Sequence, residues 1–169
     1  MADVARTLAR YRVRLGFLAA VVLFVIARPT LTSVAIGGAI SCAGEALRIW
    51  AAGHLEKGRE VTASGPYRLT RHPLYVGSAI MGIGFAVACG TIAAAVLVLA
   101  YLGLTVGAAI RSEETHLTEK FGSAYPDYRD GRMPQAARRF SLPRAMRNRE
   151  YRAVAGLAGA LALLLWKAL

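Results

Sequence analysis

Apolar residues in this chain gather into five runs separated by short polar or basic breaks. The first covers Leu15 to Ala27 and ends at Arg28-Pro29-Thr30, a break suited to a tight turn. The second, Leu31 to about Ala52, is long enough to cross a bilayer and carries Glu45 and Arg48. The third, Pro73 to Cys89, begins with proline at a helix-start position, where its missing N–H costs nothing. Gly90-Thr91 reads as a short turn into the fourth, Ile92 to Ile110, and the last run is Ala153 to Leu165. The pattern predicts an all-α fold, a single membrane domain over residues 1–169 built as a bundle of about five transmembrane helices. The first and fifth runs are shorter than the usual span of about 20 residues. They must borrow flanking residues or thin the bilayer, with arginines snorkelling at their ends. The first run follows four arginines, as a signal peptide does, but no small-residue cleavage site precedes a soluble domain, so it is read as a retained helix.

Composition agrees with a membrane chain. Of 169 residues 56% are hydrophobic and only 18% charged, against about 25% for a typical soluble domain. The net charge of +11 raises the question of nucleic acid, but its distribution answers it. Of 21 Lys and Arg, 17 fall in three segments that five spans would place on one side: the amino terminus, 53–72 and 112–152. The positive-inside rule makes that side cytoplasmic and gives it anionic headgroups as its natural counterpart. No nucleic-acid recognition module is present, so nucleic acid is excluded as a partner. Cys42 and Cys89 both sit in apolar runs without a metal-ligand neighbour and read as small buried thiols.

The fourth run leads directly into Arg111-Ser112-Glu113-Glu114-Thr115-His116-Leu117-Thr118-Glu119-Lys120-Phe121-Gly122. A helix ending at Ile110 would put two glutamates at its negative end, which is unfavourable. Continuing it to about Lys120, with Gly122 as the stop, removes the conflict and projects a helix extension into the cytoplasm. Glu113 and Glu114 then point about 100° apart, so one can face a pocket while the other faces water. The glycines of helices 2 to 4, Gly37, Gly38, Gly44, Gly77, Gly82, Gly84, Gly103 and Gly107 among them, read as close-packing positions. A cofactor approaching Gly82-Ile83-Gly84 is the other reading of that short motif.

The polar stretch Gly65-Pro66-Tyr67-Arg68-Leu69-Thr70-Arg71-His72-Pro73-Leu74-Tyr75-Val76-Gly77 is the most informative segment. Pro73 at the helix start puts His72 at or near the N-cap, with Tyr75 three residues on and able to face the same side. Free N–H groups and the positive end of the dipole make this a ready site for a carboxylate. The plainer reading is an interfacial anchor, since Arg and Tyr commonly sit at headgroup level. Tyr125 and Tyr128, with Asp127 between them, either cover a site or lie in the same layer. Glu45 and Arg48 read as an ion pair within the bundle or as part of an acceptor pocket. His54 and His116 are isolated, and no metal is assigned to them.

Taken in order, Ser-Gly-Pro-Tyr, Arg-His-Pro-Leu-Tyr-Val-Gly, an apolar hairpin, then Glu-Glu, Phe-Gly and two tyrosines resemble one family over about residues 47–134. It is the integral-membrane methyltransferases that include isoprenylcysteine carboxyl methyltransferase and the phospholipid N-methyltransferases. The resemblance implies S-adenosylmethionine as cofactor, held on the cytoplasmic side. Val61, Tyr67, His72 and Tyr75 match its cofactor-contacting positions, and Glu113, beside Glu114, matches its acidic motif. One position departs: the related eukaryotic enzymes that methylate prenylcysteine place a substrate-binding Arg four residues before that Glu, where this chain has Ala109, and the nearest arginine is Arg111.

Methyl transfer from a sulfonium needs an in-line nucleophile and little acid–base help, so positioning dominates. Carboxylates suit the amino group or ribose of such a cofactor, and tyrosine faces suit a sulfonium cation. Glu45, Arg48 and Arg111 are the candidates for contacting a lipophilic or membrane-associated acceptor that enters between helices. Two rival readings stand beside this one. A nicotinamide-dependent membrane enone or sterol reductase carries a similar Arg-x-Pro-x-Tyr stretch, usually followed after the Gly by an acidic residue and Trp, where this chain has Ser78-Ala79. The other is a non-catalytic membrane scaffold or sensor.

Overall fold

The computed structural model describes residues 18–134 and 137–169. The amino-terminal arginines and the start of the first run lie outside the described residues. Among the described residues the chain is helical, with no strand. Residues 18–26 form α1, followed by α2 (Leu31–Ala52), a 3-10 turn (Gly65–Arg68) and α3 (Pro73–Cys89). Then come α4 (Ile92–Phe121), two short helices, α5 (Ala124–Arg129) and α6 (Leu142–Arg147), and α7 (Tyr151–Ala168).

Three of these helices, α2, α4 and α7, are long and apolar enough to cross a membrane; α3 is a shorter apolar helix of 17 residues. The fold is thus an all-α bundle of an integral membrane protein. The last span runs three residues beyond the predicted run at its carboxyl end and two at its amino end, taking in Tyr151, Arg152 and Lys167. Borrowing those flanking residues is what a 13-residue run needs in order to reach across.

Local signals set the breaks. Thr30 caps α2 in a reciprocal box: its Oγ1 accepts from Ser33 N at 3.1 Å, and Ser33 Oγ accepts from Thr30 N at 2.9 Å. Gly90 ends α3 in a left-handed conformation (φ +69°), and a Cβ there would stand 2.5 Å from Arg28 O, so glycine is required twice over. Thr91 Oγ1 then accepts from Ala94 N at 3.2 Å and opens α4. α4 continues unbroken to Phe121, as the two glutamates demand, and Gly122 N–H closes on Thr118 O at 3.0 Å.

α2 and α3 form the tightest pair. The missing side chains of Gly37 and Gly84 face each other's helix: a Cβ on Gly37 would strike Ala88 N, and one on Gly84 would strike Ser41 N. Farther along, a Cβ on Gly44 would lie 2.5 Å from Met81 N and one on Gly77 2.7 Å from Gly44 O. In a bilayer, packing of this kind replaces the hydrophobic drive that water would supply. Ser41 Oγ adds a hydrogen bond to Met81 O at 3.0 Å.

The packing reading holds at these four glycines but not at all of those named. Gly103 and Gly107 meet nothing within 4 Å, whereas Gly82 of α3 is met by Val98 and Leu102 of α4. Gly84 is filled by α2, which leaves no room for a cofactor there. Cys89 is buried as expected, whereas Cys42 is exposed on the outer face of α2.

The apolar core lies at the end of the bundle that carries the turns at 28–30 and 90–91, around Leu23, Ala27, Val34, Ala88, Cys89 and Leu164. There Lys167 Nζ donates to the carbonyl of Phe24 at 2.6 Å, a cation placed on the negative end of α1. The opposite end is polar.

Candidate functional site

At that polar end three separate stretches meet: the 3-10 turn and His72 ahead of α3, the projecting last turns of α4, and α5. Each is placed by a local rule already seen in the sequence. Pro73 fixes the start of α3 and leaves His72 as its N-cap (φ −129°, ψ 55°), with the ring free of any capping bond. The uninterrupted α4 carries Glu114 to the same level. Gly122, in a positive-φ conformation, lets the chain reverse into α5, which returns Tyr125 and Tyr128 to the cluster.

Glu114 is the hub. Its Oε1 stands 3.0 Å from His72 Nε2, accepts from Tyr125 OH at 3.1 Å and lies 3.4 Å from Arg71 NH1. Tyr128 OH donates to the carbonyl of Tyr67 at 2.6 Å, which ties α5 to the 3-10 turn. Tyr75 stays on the His72 side, as its spacing predicts, with ring centroids 5.9 Å apart. Tyr67 and Tyr125 are buried, and Val61 is buried in the preceding segment.

Glu113, on the preceding helical position, is exposed. Of the two adjacent glutamates it is thus Glu114 that points inward, to three polar partners. Glu113 keeps its carboxylate open to solvent, near enough to Tyr67 for its charge to act on that hydroxyl.

Burial pushes the Tyr67 hydroxyl well above its ordinary value, and the Glu113 carboxylate adds to the shift. Tyr125 is raised likewise, by burial first and then by Glu114. Burial also lifts Tyr128, to about 12. All three phenols are therefore neutral hydrogen-bond donors near pH 7.

Two recesses flank the hub. One, of about 250 Å³, lies between Tyr67, the 68–71 segment and Tyr128. The other, of about 430 Å³, lies between α4 and α5 and is lined by Arg111, Glu114, Thr115, Thr118, Tyr125 and Arg129 among others. The larger falls within the range of about 300–1,000 Å³ typical of small-molecule sites.

The proposed acceptor residues divide. Glu45 and Arg48 stand together, with Arg48 Nε 3.4 Å from Glu45 Oε2, but Arg111 lines the α4–α5 recess instead. Arg48 also pairs with Glu150, at the N-cap of α7, at 2.7 Å and hydrogen-bonds Ser78 Oγ on α3. Glu45 and Glu150 are both buried, so two carboxylates converge on one guanidinium where three helices meet. Sequence reading missed Glu150, although a signal existed: it is the sole acidic residue after Asp130. It also missed His54, which is buried and hydrogen-bonded rather than isolated.

Residues 32–124 match the family model for phospholipid methyltransferase, more than half of the chain. The match begins inside α2, earlier than the resemblance at 47, and stops short of Tyr125 and Tyr128. No curated protein and no solved structure matches the chain. Tyr67, His72, Tyr75, Glu113 and Glu114 all fall inside the matched interval, on the helices and turns that bring them to one end. The chain belongs to the phospholipid methyltransferase family of integral-membrane methyltransferases.

Proposed function

We propose that the chain is an S-adenosylmethionine-dependent methyltransferase acting on a lipophilic or membrane-associated acceptor, with the cofactor at the polar end of the bundle. The observation that carries this reading is the convergence on Glu114 of His72, from before α3, and Tyr125, from after α4. It gathers polar and aromatic side chains beside apolar helices, which supports a site where a water-soluble donor and a lipid-dissolved acceptor meet.

The residues present fit such a group. Glu113 offers an open carboxylate to an ammonium or ribose hydroxyls, and the tyrosines offer ring faces and neutral hydroxyls. When bound, the cofactor supplies an activated methyl on a sulfonium. Tyr67, Tyr75, His72 and Val61 would hold and orient it, while Glu114 keeps His72 and Tyr125 in place. The chain's contribution is alignment, which converts a bimolecular transfer into an effectively unimolecular one. The segregation of Lys and Arg supports a cytoplasmic position for this end.

Calorimetric titration of the purified full chain with S-adenosylhomocysteine and with NADPH tests the proposal. Saturable binding of S-adenosylhomocysteine and none of NADPH is the expected result; NADPH binding alone would shift the assignment to a reductase, and binding of neither would remove both. Radiolabelled methyl transfer into a lipid extract then narrows the acceptor.

A further inference from the structure

The loop that carries Tyr67 rests on His54, which is in turn anchored by the segment 137–150, outside the matched interval. His54 lies two residues past the end of α2 and is 4% exposed. Its Nδ1 lies 3.2 Å from Ser64 Oγ, and Ser64 is the residue that caps the 3-10 turn containing Tyr67. Tyr67 N–H closes that turn on Ser64 O at 3.2 Å. The next residue, Gly65, has φ +57° and lies flat on the imidazole: a Cβ there would stand 2.5 Å from His54 Cδ2. The ring therefore supports both the cap of the turn and its first residue.

His54 is itself fixed by the segment 137–150. Asn148 Nδ2 donates to the carbonyls of Ala52 and Leu55, at 2.8 and 2.9 Å, spanning the backbone on both sides of His54. Arg144 reaches Gly53 O at 2.6 Å and Glu56 Oε1 at 2.7 Å. Ser141 N–H adds a bond to Gly53 O at 3.1 Å, and the Phe140 ring lies 6.4 Å from the imidazole. A strap between α5 and α7 thus locks the residue on which the Tyr67 turn rests. From above, Tyr128 holds the turn through the Tyr67 carbonyl.

We propose that His54 is a positioning residue for the cofactor site: anchored by the 137–150 strap, it sets Ser64 and Gly65 and thereby the placement of Tyr67. The proposal rests on the cofactor reading above, but its first readout is independent of any ligand. Without the imidazole, Ser64 loses a buried partner and Gly65 its support, so the turn samples other conformations.

The experiment compares the full-length wild type with His54→Ala, His54→Asn and Asn148→Ala. Asparagine is the conservative variant because its amide can occupy the position of Nδ1. Backbone hydrogen exchange is measured over residues 61–70, and S-adenosylhomocysteine affinity by calorimetry. In His54→Ala, exchange over 61–70 accelerates and affinity falls about tenfold, the scale of one lost buried hydrogen bond. Asn148→Ala moves both in the same direction, and His54→Asn keeps both within about threefold of wild type. Unchanged exchange and affinity in His54→Ala would overturn the proposal. So would equal losses in His54→Ala and His54→Asn alongside a common fall in melting temperature, the mark of a general structural role. Wild-type protein with no affinity for S-adenosylhomocysteine would instead sink the cofactor reading, and this positioning role with it.

Discussion

Glu114 Oε1 meets His72 Nε2 at 3.0 Å across 42 residues of chain, and this one contact joins the start of α3 to the end of α4. It also explains why α4 runs past its apolar run: a helix ending at Ile110 would leave His72 without its partner. Removing the carboxylate strands His72 and Tyr125 together. Glu114→Ala is therefore expected to weaken S-adenosylhomocysteine binding about tenfold or more and to lower thermal stability by about 1–2 kcal/mol, since hydrogen bonds to a charged group are lost at a half-open site. Glu113→Ala is expected to weaken binding comparably while leaving the melting temperature unchanged, because its carboxylate is exposed. Calorimetry paired with thermal unfolding separates the two; a melting-temperature loss confined to Glu113→Ala would reverse these roles.

The glycines give a sharp contrast. Gly84→Ala forces a Cβ onto the backbone of α2 at Ser41, where no side chain can yield. Overpacking of this kind costs about 1–3 kcal/mol. Gly103→Ala and Gly107→Ala meet open space and gain helix propensity, so they should leave stability unchanged or raise it by up to about 1 kcal/mol each. Thermal unfolding in one detergent ranks all three, and a destabilised Gly103→Ala would show that α4 packs more closely than its contacts here indicate.

Some of this was legible in the sequence for definite reasons. Apolar runs and their Pro and Gly punctuation marked the helices, and the electrostatic conflict at Glu113-Glu114 forced the extension of α4. The spacing of His72 and Tyr75 gave a shared side. Which glutamate faces inward was not readable, because helical phase gives an angle between neighbours but no absolute direction. The division among the glycines was hidden for the same reason: a small residue permits close approach, and only the partner helix decides whether it happens. His54 looked isolated because its partners, Ser64 and the 137–150 strap, are brought to it by tertiary folding. Glu150 lies 102 residues from Arg48, beyond any local pattern.

The Arg48 cluster yields a prediction about stability. Arg48 is the cation between Glu45 and Glu150, and both carboxylates are buried. Arg48→Ala leaves two acids facing each other without it, and breaking a buried ion pair on one side typically costs about 3–5 kcal/mol. Glu150→Gln removes one of the two opposing charges and should cost clearly less. If unfolding measurements ranked Glu150→Gln as the more damaging change, the cluster would owe its stability to the α7 carboxylate rather than to the shared guanidinium.

The strap carries a pH signature of its own. Arg144 donates from Nε to Glu56 Oε1 at 2.7 Å and holds that carboxyl below its ordinary range, with Arg147 adding a second positive charge at 3.7 Å. A carboxyl whose folded value is depressed binds its proton more weakly in the folded state than in the unfolded chain. Its contribution to stability is therefore fully present above the unfolded value of about 4.3 and is lost as pH falls through the folded one. Melting temperatures taken from pH 7 downward should show a loss in wild type, beginning near the unfolded value, that is smaller in Glu56→Gln. At pH 7 the variant starts lower, and the two curves converge as acid protonates Glu56. Because Glu56 lies in the segment that the strap grips, hydrogen exchange over 61–70 should rise in the same acid range in wild type. Parallel melting curves for wild type and Glu56→Gln across the whole range would show that the Arg144 contact makes no net contribution to the fold.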